Sequence, residues 1–171
     1  MELTGTRTIA ADRETVWAAL NDAEVLKACI PGTQELTGSP EEGFEATVVQ
    51  KVGPVKATFK GSVTLENVVP GQSYTITGEG KGGAAGFAKG AADVALTDVE
   101  GGTELSYTVD AKVGGKLAQL GSRIIDGFAK KMADQFFENF QNAVEGPADG
   151  EEIPEDAPET AKKGWWKRLR G

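Results

Sequence analysis

Histidine is absent from the 171 residues, and cysteine occurs once, at Cys29. The missing imidazoles remove the commonest general base and the commonest transition-metal ligand. With a lone thiol beside them, zinc sites and the usual Ser-His or Cys-His nucleophile systems are excluded. One cysteine also excludes an internal disulfide framework. No apolar run is long enough to span a bilayer, and Met1-Glu2-Leu3-Thr4 lacks a charged-then-apolar signal pattern, so a cytoplasmic location is the expectation. Positive charge is scarce too, with a formal net charge of -8.

The scarce positive charge is unevenly placed. Of 18 basic residues, five (Lys162, Lys163, Lys167, Arg168 and Arg170) fall in the last ten positions, beside Trp165, Trp166 and Leu169. Residues 1–148 keep 13 basic against 20 acidic side chains, a net of -7, so anionic surfaces should repel the body of the chain and attract its end. Wound into a helix, Trp165, Trp166 and Leu169 share one face, and indoles favour the headgroup level of a membrane. Five cations near an anionic leaflet contribute up to roughly 5 kcal/mol at low salt, which gives reversible docking. Residues 162–171 are therefore expected to be a basic, Trp-rich membrane-docking tail; a solvated basic terminus and a segment for an acidic protein partner are the other readings of the same residues.

Upstream, residues 146–161 are acidic, proline-bearing and poor in large apolar side chains, the composition of a linker that cannot pack. Flexible, those sixteen residues span roughly 20–24 Å. Residues 1–145 are left as one globular domain.

Within that domain residues 2–10 alternate as a first strand, Asp12 reads as the N-cap of a short helix, and a second short helix stops at Pro31-Gly32. Trp17 and Cys29 read as core contacts. From 33 to 114 the period is two, with turn signals at Ser39-Pro40, Gly53-Pro54, Pro70-Gly71, Gly82-Gly83 and Gly101-Gly102, which describes six antiparallel strands. Residues 116–144 switch to helical spacing, with Leu117, Leu120, Ile124, Phe128, Met132, Phe136, Phe140 and Val144 on one stripe. The fold class is α+β: a curved antiparallel sheet of about seven strands around one long C-terminal helix, with no second helix expected to cover the sheet.

Many inward positions carry almost no side chain, among them Ala57, Gly61, Gly78, Gly80, Ala88, Gly90, Ala92 and Ala111. Either the helix approaches closely or a space remains. The bulk of Phe128, Met132, Phe136, Phe137 and Phe140 favours a wedge closed at that end and open toward the turns at 51–54, 78–86 and 113–115. On the sheet the candidate ligand-binding residues are Val48, Gln50, Ala57, Phe59, Gly61, Ile76, Gly78, Phe87, Gly90 and Ala92. On the helix they are Leu117, Leu120, Gly121, Ile124 and Phe128. The lining is apolar and suits an apolar or flat aromatic ligand, oriented by few polar groups such as Gln50.

Two tempting motifs fail on context. Gly78-Glu79-Gly80-Lys81-Gly82-Gly83 spells G-x-G-x-x-G, but a strand follows where a dinucleotide site needs a helix N-terminus. Asp126, Lys130, Lys131 and Asp134 fit a solvated helix face better than a catalytic group. Nucleic acid is not an expected partner, since the body is acidic and the tail offers no ordered stacking platform.

Three stretches carry a resemblance: Ala28-Cys29-Ile30-Pro31-Gly32, the run Val52-Gly53-Pro54-Val55-Lys56-Ala57-Thr58-Phe59-Lys60-Gly61, and GKGGAAGFAKG at 80–90. Together, in order and spacing, they resemble the carbon monoxide dehydrogenase CoxG family of the START-like SRPBCC superfamily, over roughly residues 2–145. The resemblance implies a helix-grip fold with a hydrophobic pocket between sheet and helix, and association with a carbon monoxide dehydrogenase-type oxidoreductase in membrane recruitment or maturation. It supplies no catalytic residues. The expectation is a non-enzymatic accessory protein without a cofactor of its own, peripherally associated with the cytoplasmic membrane. Its cargo would be a lipophilic molecule such as a respiratory quinone, for instance menaquinone. A membrane-recruitment or maturation adaptor without cargo is the alternative, and an enzyme on the same scaffold a third.

Overall fold

The computed structural model describes residues 1–145; the linker at 146–161 and the tail at 162–171 lie outside the described residues. The chain runs β1 (Glu2–Ile9), α1 (Arg13–Leu20), α2 (Ala23–Cys29), β2 (Thr33–Ser39), β3 (Gly43–Val52), β4 (Val55–Val69), β5 (Ser73–Lys81), a 3-10 turn (Gly83–Ala85), β6 (Phe87–Val99), β7 (Gly102–Gly114), α3 (Lys116–Gln119) and α4 (Ser122–Glu145). All seven strands form one antiparallel sheet in the order β1-β7-β6-β5-β4-β3-β2. The order follows from the turns. Consecutive strands from β2 to β7 close as hairpins, and β1 completes the sheet on the free side of β7, pairing Glu2 with Asp110 through to Ile9 with Thr103. This is the α+β helix-grip architecture expected.

Asp12 and Asp22 cap the two short helices, accepting hydrogen bonds from the Thr15 and Glu24 amides at 3.1 and 2.9 Å. Strict alternation along β4, with odd positions half-buried and even ones exposed from Val55 to Glu66, gives the sheet one apolar and one wet face. On the apolar face Ile9, Val16, Cys29, Leu105 and Phe140 are fully or almost fully buried and anchor the main core, with Val94, Leu96, Tyr74, Phe137 and Val144 around them. Trp17 meets Tyr74 edge-on at 5.2 Å from the rim of that core.

The structure departs from the expected helical architecture in two ways. The stretch at 116–144 is two helices, because Gly121 adopts φ +90°, a left-handed conformation that interrupts the α-helical hydrogen bonding. The break changes which residue faces inward: Ile125 is buried and Ile124 is 40% exposed. Moreover α4 is not alone over the sheet. Helix α2 packs against both β2 and α4, and the Asn139 side chain donates to the Cys29 carbonyl at 3.0 Å to tie the two helices together. At the other edge the Arg7 guanidinium pairs with Asp134, lies 5.4 Å from the centre of the Phe137 ring, and helps fix α4 to β1.

Candidate functional site

Between sheet and helices lies a cavity of about 610 Å³, within the range of small-molecule sites. Strand register explains its floor. Gly61 pairs with Gly80, Gly78 with Gly90, Gly80 with Ala88, and Gly90 with Ala111, so small residues face one another across four consecutive strands. Close packing accounts for some of these positions: a Cβ at Gly90 would lie 2.3 Å from the Asp110 carbonyl, and one at Gly78 would lie 2.5 Å from Val63 Cγ1. Gly80 differs. A Cβ there meets no atom within 4 Å, so the missing side chain leaves real space.

The roof is α4, through Met132, Ala133, Phe136 and Phe137. The sides come from Leu26 and Ile30 of the α2 region, Leu36 of β2, Phe44 and Ala46 of β3, and Leu3 of β1. Ser62, Glu79 and Lys89 also border the cavity, but they alternate onto the wet face and are exposed. The remaining polar side chains of the lining are Tyr74 and Tyr107. Tyr107 stacks on Phe137 at 5.1 Å, and its hydroxyl lies over Gly5, where an added Cβ would be 2.5 Å away. Burial pushes the Tyr74 phenol well above its ordinary value, keeping it neutral, and pushes the Cys29 thiol up to about 12. What the arrangement can do is hold an apolar body against walls that include the rings of two tyrosines, Tyr74 and Tyr107. Among the described residues no three acidic, cysteine or histidine side chains converge as a metal site.

Of the candidate residues, Gly61, Ile76, Gly78, Gly90 and Ala92 line this cavity. Phe59, Leu117, Leu120 and Phe128 lie instead in a second apolar cluster with Val52, Val55, Val113 and Ile125. That cluster stands at the turns where the sequence suggests an opening; the cavity lies between two packed ends because Leu117 and Ile125, buried there, fill the wedge. Val48 and Ala57 sit on β3 and β4 nearby, opposite Phe59 and Gln50 respectively. Gln50 donates through Nε2 to the Pro31 carbonyl at 2.5 Å and holds the α2–β2 connection. Gly121 and Ile124 stand at the helix break, away from the cavity lining, and Phe87, 41% exposed, lies on the wet face of the sheet. The wall from Leu26, Ile30 and Leu36 is absent from the sequence candidates. Its signal is Leu26 and Ile30 at i, i+4, a second apolar stripe beside Val25 and Cys29 on so short a helix.

A family model describing the CoxG subunit of carbon monoxide dehydrogenase matches residues 5–145. No curated protein matches the chain in sequence. Among solved structures, a conserved protein from Geobacillus kaustophilus superposes with a TM-score of 0.77 at 29% identity, covering 83% of this chain and 93% of that one. A protein from Chromobacterium violaceum gives 0.63 at 17% identity, covering 85% and 98%. One from Thermus thermophilus gives 0.60 at 13%, covering 83% and 95%. The latter two share the fold.

Proposed function

This chain belongs to the CoxG family of carbon monoxide dehydrogenase subunits, and on that premise we propose that it is a non-catalytic accessory protein that carries a lipophilic molecule between a membrane and an oxidoreductase of the carbon monoxide dehydrogenase type. The observation that carries the reading is the apolar cavity with an unfilled floor at Gly80. Apolar walls of this extent hold water poorly, and leaving them in contact with it costs free energy in proportion to their area. An apolar guest removes that cost. Each CH₂ it buries contributes about 0.8 kcal/mol.

A respiratory quinone fits the chemistry of the walls. Its isoprenoid chain matches the Leu, Ile, Phe and Met lining, and its ring carbonyls accept hydrogen bonds from a phenol such as Tyr107. In this reading the tail at 162–171 docks on anionic lipid while the linker lets the domain turn between membrane and enzyme. Peripheral association with the cytoplasmic membrane follows from the same proposal.

Incubation of the delipidated protein with menaquinone-loaded vesicles, followed by flotation, tests it. Quinone that stays with the protein fraction, and is lost from Ala92→Phe, supports the carrier. No quinone in that fraction, under conditions where the protein remains folded, leaves the recruitment adaptor as the better account.

A further inference from the structure

We infer that the domain itself carries a second membrane-docking surface: the outer face of the sheet at its β3–β4 and β5–β6 turn end, built to lie on an anionic lipid leaflet. The net charge of residues 1–145 argues against this, but the register argues for it. Lys51 pairs directly with Lys56, Lys60 with Lys81, and Lys89 with Lys112, so three like-charged pairs fall on five strands in the same half of the sheet. All six lysines are exposed on the wet face. Directly opposed like charges destabilise a sheet, so sequence drift would not be expected to assemble three such pairs.

Compensation within the fold is slight. Glu79, opposite Lys89 and 3.7 Å from the Lys81 ammonium, is set among these lysines, and Asp110 stands two residues from Lys112 on β7; among the described residues Lys51, Lys56, Lys60, Lys89 and Lys112 make no ion pair. Toward the other end the wet face carries acids such as Glu66, Asp93 and Glu104, and Glu45 stands in the same row as Lys89 and Lys112, beyond Ser62 and Glu79. Six lysines against three acids at that level leave the lysine end of this face net positive, opposite in sign to the domain's net charge.

An apolar group sits within the lysines. Phe87 lies directly opposite Lys81, two residues from Lys89 on β6, and its ring covers Gly114 on β7, where an added Cβ would be 2.3 Å from the ring edge. At 41% exposed it is among the most exposed large apolar side chains of the described residues, and Ile124, 40% exposed, adjoins Gly53 at the same end. Long cationic stems around a protruding apolar group suit headgroups above an acyl boundary. Protein partners are the weaker fit, since lysine is depleted in protein interfaces and this face has no arginine to fork onto a carboxylate.

The inference uses neither cavity content nor residues 162–171, so it fails or stands separately from the carrier. The test uses the full chain with phosphatidylcholine vesicles, with and without phosphatidylglycerol, at low and high salt. In a Trp165→Ala/Trp166→Ala background, which weakens the tail, Lys60→Gln/Lys81→Gln/Lys89→Gln/Lys112→Gln should lower partitioning onto phosphatidylglycerol vesicles at least about tenfold at low salt. Phe87→Ser should lower it without changing the salt dependence. The lysine variant should keep the parent's circular-dichroism spectrum and a cooperative melt, so loss of binding is not loss of fold. Unchanged vesicle binding in the lysine variant overturns the proposal, and an acidic protein surface would then be the partner this face fits.

Discussion

Gly80→Leu is the most informative single change in the cavity. At Gly78 and Gly90 an added Cβ would crowd Val63 and the Asp110 carbonyl, but at Gly80 nothing lies within 4 Å of the new Cβ, and the backbone there is ordinary strand. Burying a leucine side chain contributes about 1.5–3 kcal/mol, and removing glycine from a strand interior adds a few tenths or more. A net gain of about 2 kcal/mol is expected, which raises Tm by roughly 5 °C or more for a domain of this size. Gly90→Leu is the control: its Cβ would sit 2.3 Å from the Asp110 carbonyl and 2.7 Å from Ala111 Cα, and the overpacking should cost about 1–3 kcal/mol. Denaturant unfolding of the delipidated proteins reads both signs, and menaquinone uptake by the same samples reads occupancy. Gly80→Leu should be stabilised and unable to take up quinone. If it is destabilised as much as Gly90→Leu, or takes up quinone as the wild type does, the space at Gly80 is not the binding site and the reasoning from missing volume is refuted.

Other outcomes follow from the remaining structure. Replacing Trp165 and Trp166 with alanine should weaken binding to anionic vesicles, and raised salt should weaken it further; binding indifferent to both contradicts the tail's docking role. Tyr107→Phe should leave stability within about 1 kcal/mol while lowering quinone affinity several-fold, measured by fluorescence quenching; unchanged affinity removes Tyr107 as the orienting donor. The Asp134 carboxyl is held below its ordinary value by hydrogen bonds from Lys130 and Arg7. A depressed carboxylate pKa contributes stability that is present above the unfolded value and lost as pH falls through the folded one. Asp134→Asn should therefore flatten the stability profile only in the acidic range, read by melting between neutral and acid pH. With its pKa pushed up to about 12, Cys29 should resist thiol reagents at neutral pH until the domain unfolds, and rapid labelling of the native protein would contradict its burial.

The strands were legible because half-buried antiparallel sheets impose a period of two, and the alternation from Val55 to Glu66 returns in the structure residue by residue. The small-residue floor was legible for the same reason: once parity is known, Gly61, Gly78, Gly80 and Gly90 must share a face. Which of them opens space was not, since that depends on what lies across the ladder. Gly78 and Gly80 read alike in sequence, yet one is crowded by Val63 and the other meets nothing. The helix break was hidden as well. Leu117, Leu120, Ile124 and Phe128 keep helical spacing across Gly121, and only its positive φ shows that Ile125 turns inward in place of Ile124. The lysine pairs needed register, which alternation alone does not supply. Lys60 and Lys81 are opposite each other only because the β4–β5 pairing shifts between Glu66 and Val69.

The central claim, a lipophilic cargo in the cavity, is tested most directly by native mass spectrometry of the full chain purified from its own cells without detergent. The account predicts a bound species with the mass of a respiratory quinone, absent from Gly80→Leu prepared alongside. A wild-type protein that is folded, empty, and still empty after exposure to menaquinone or ubiquinone would contradict it.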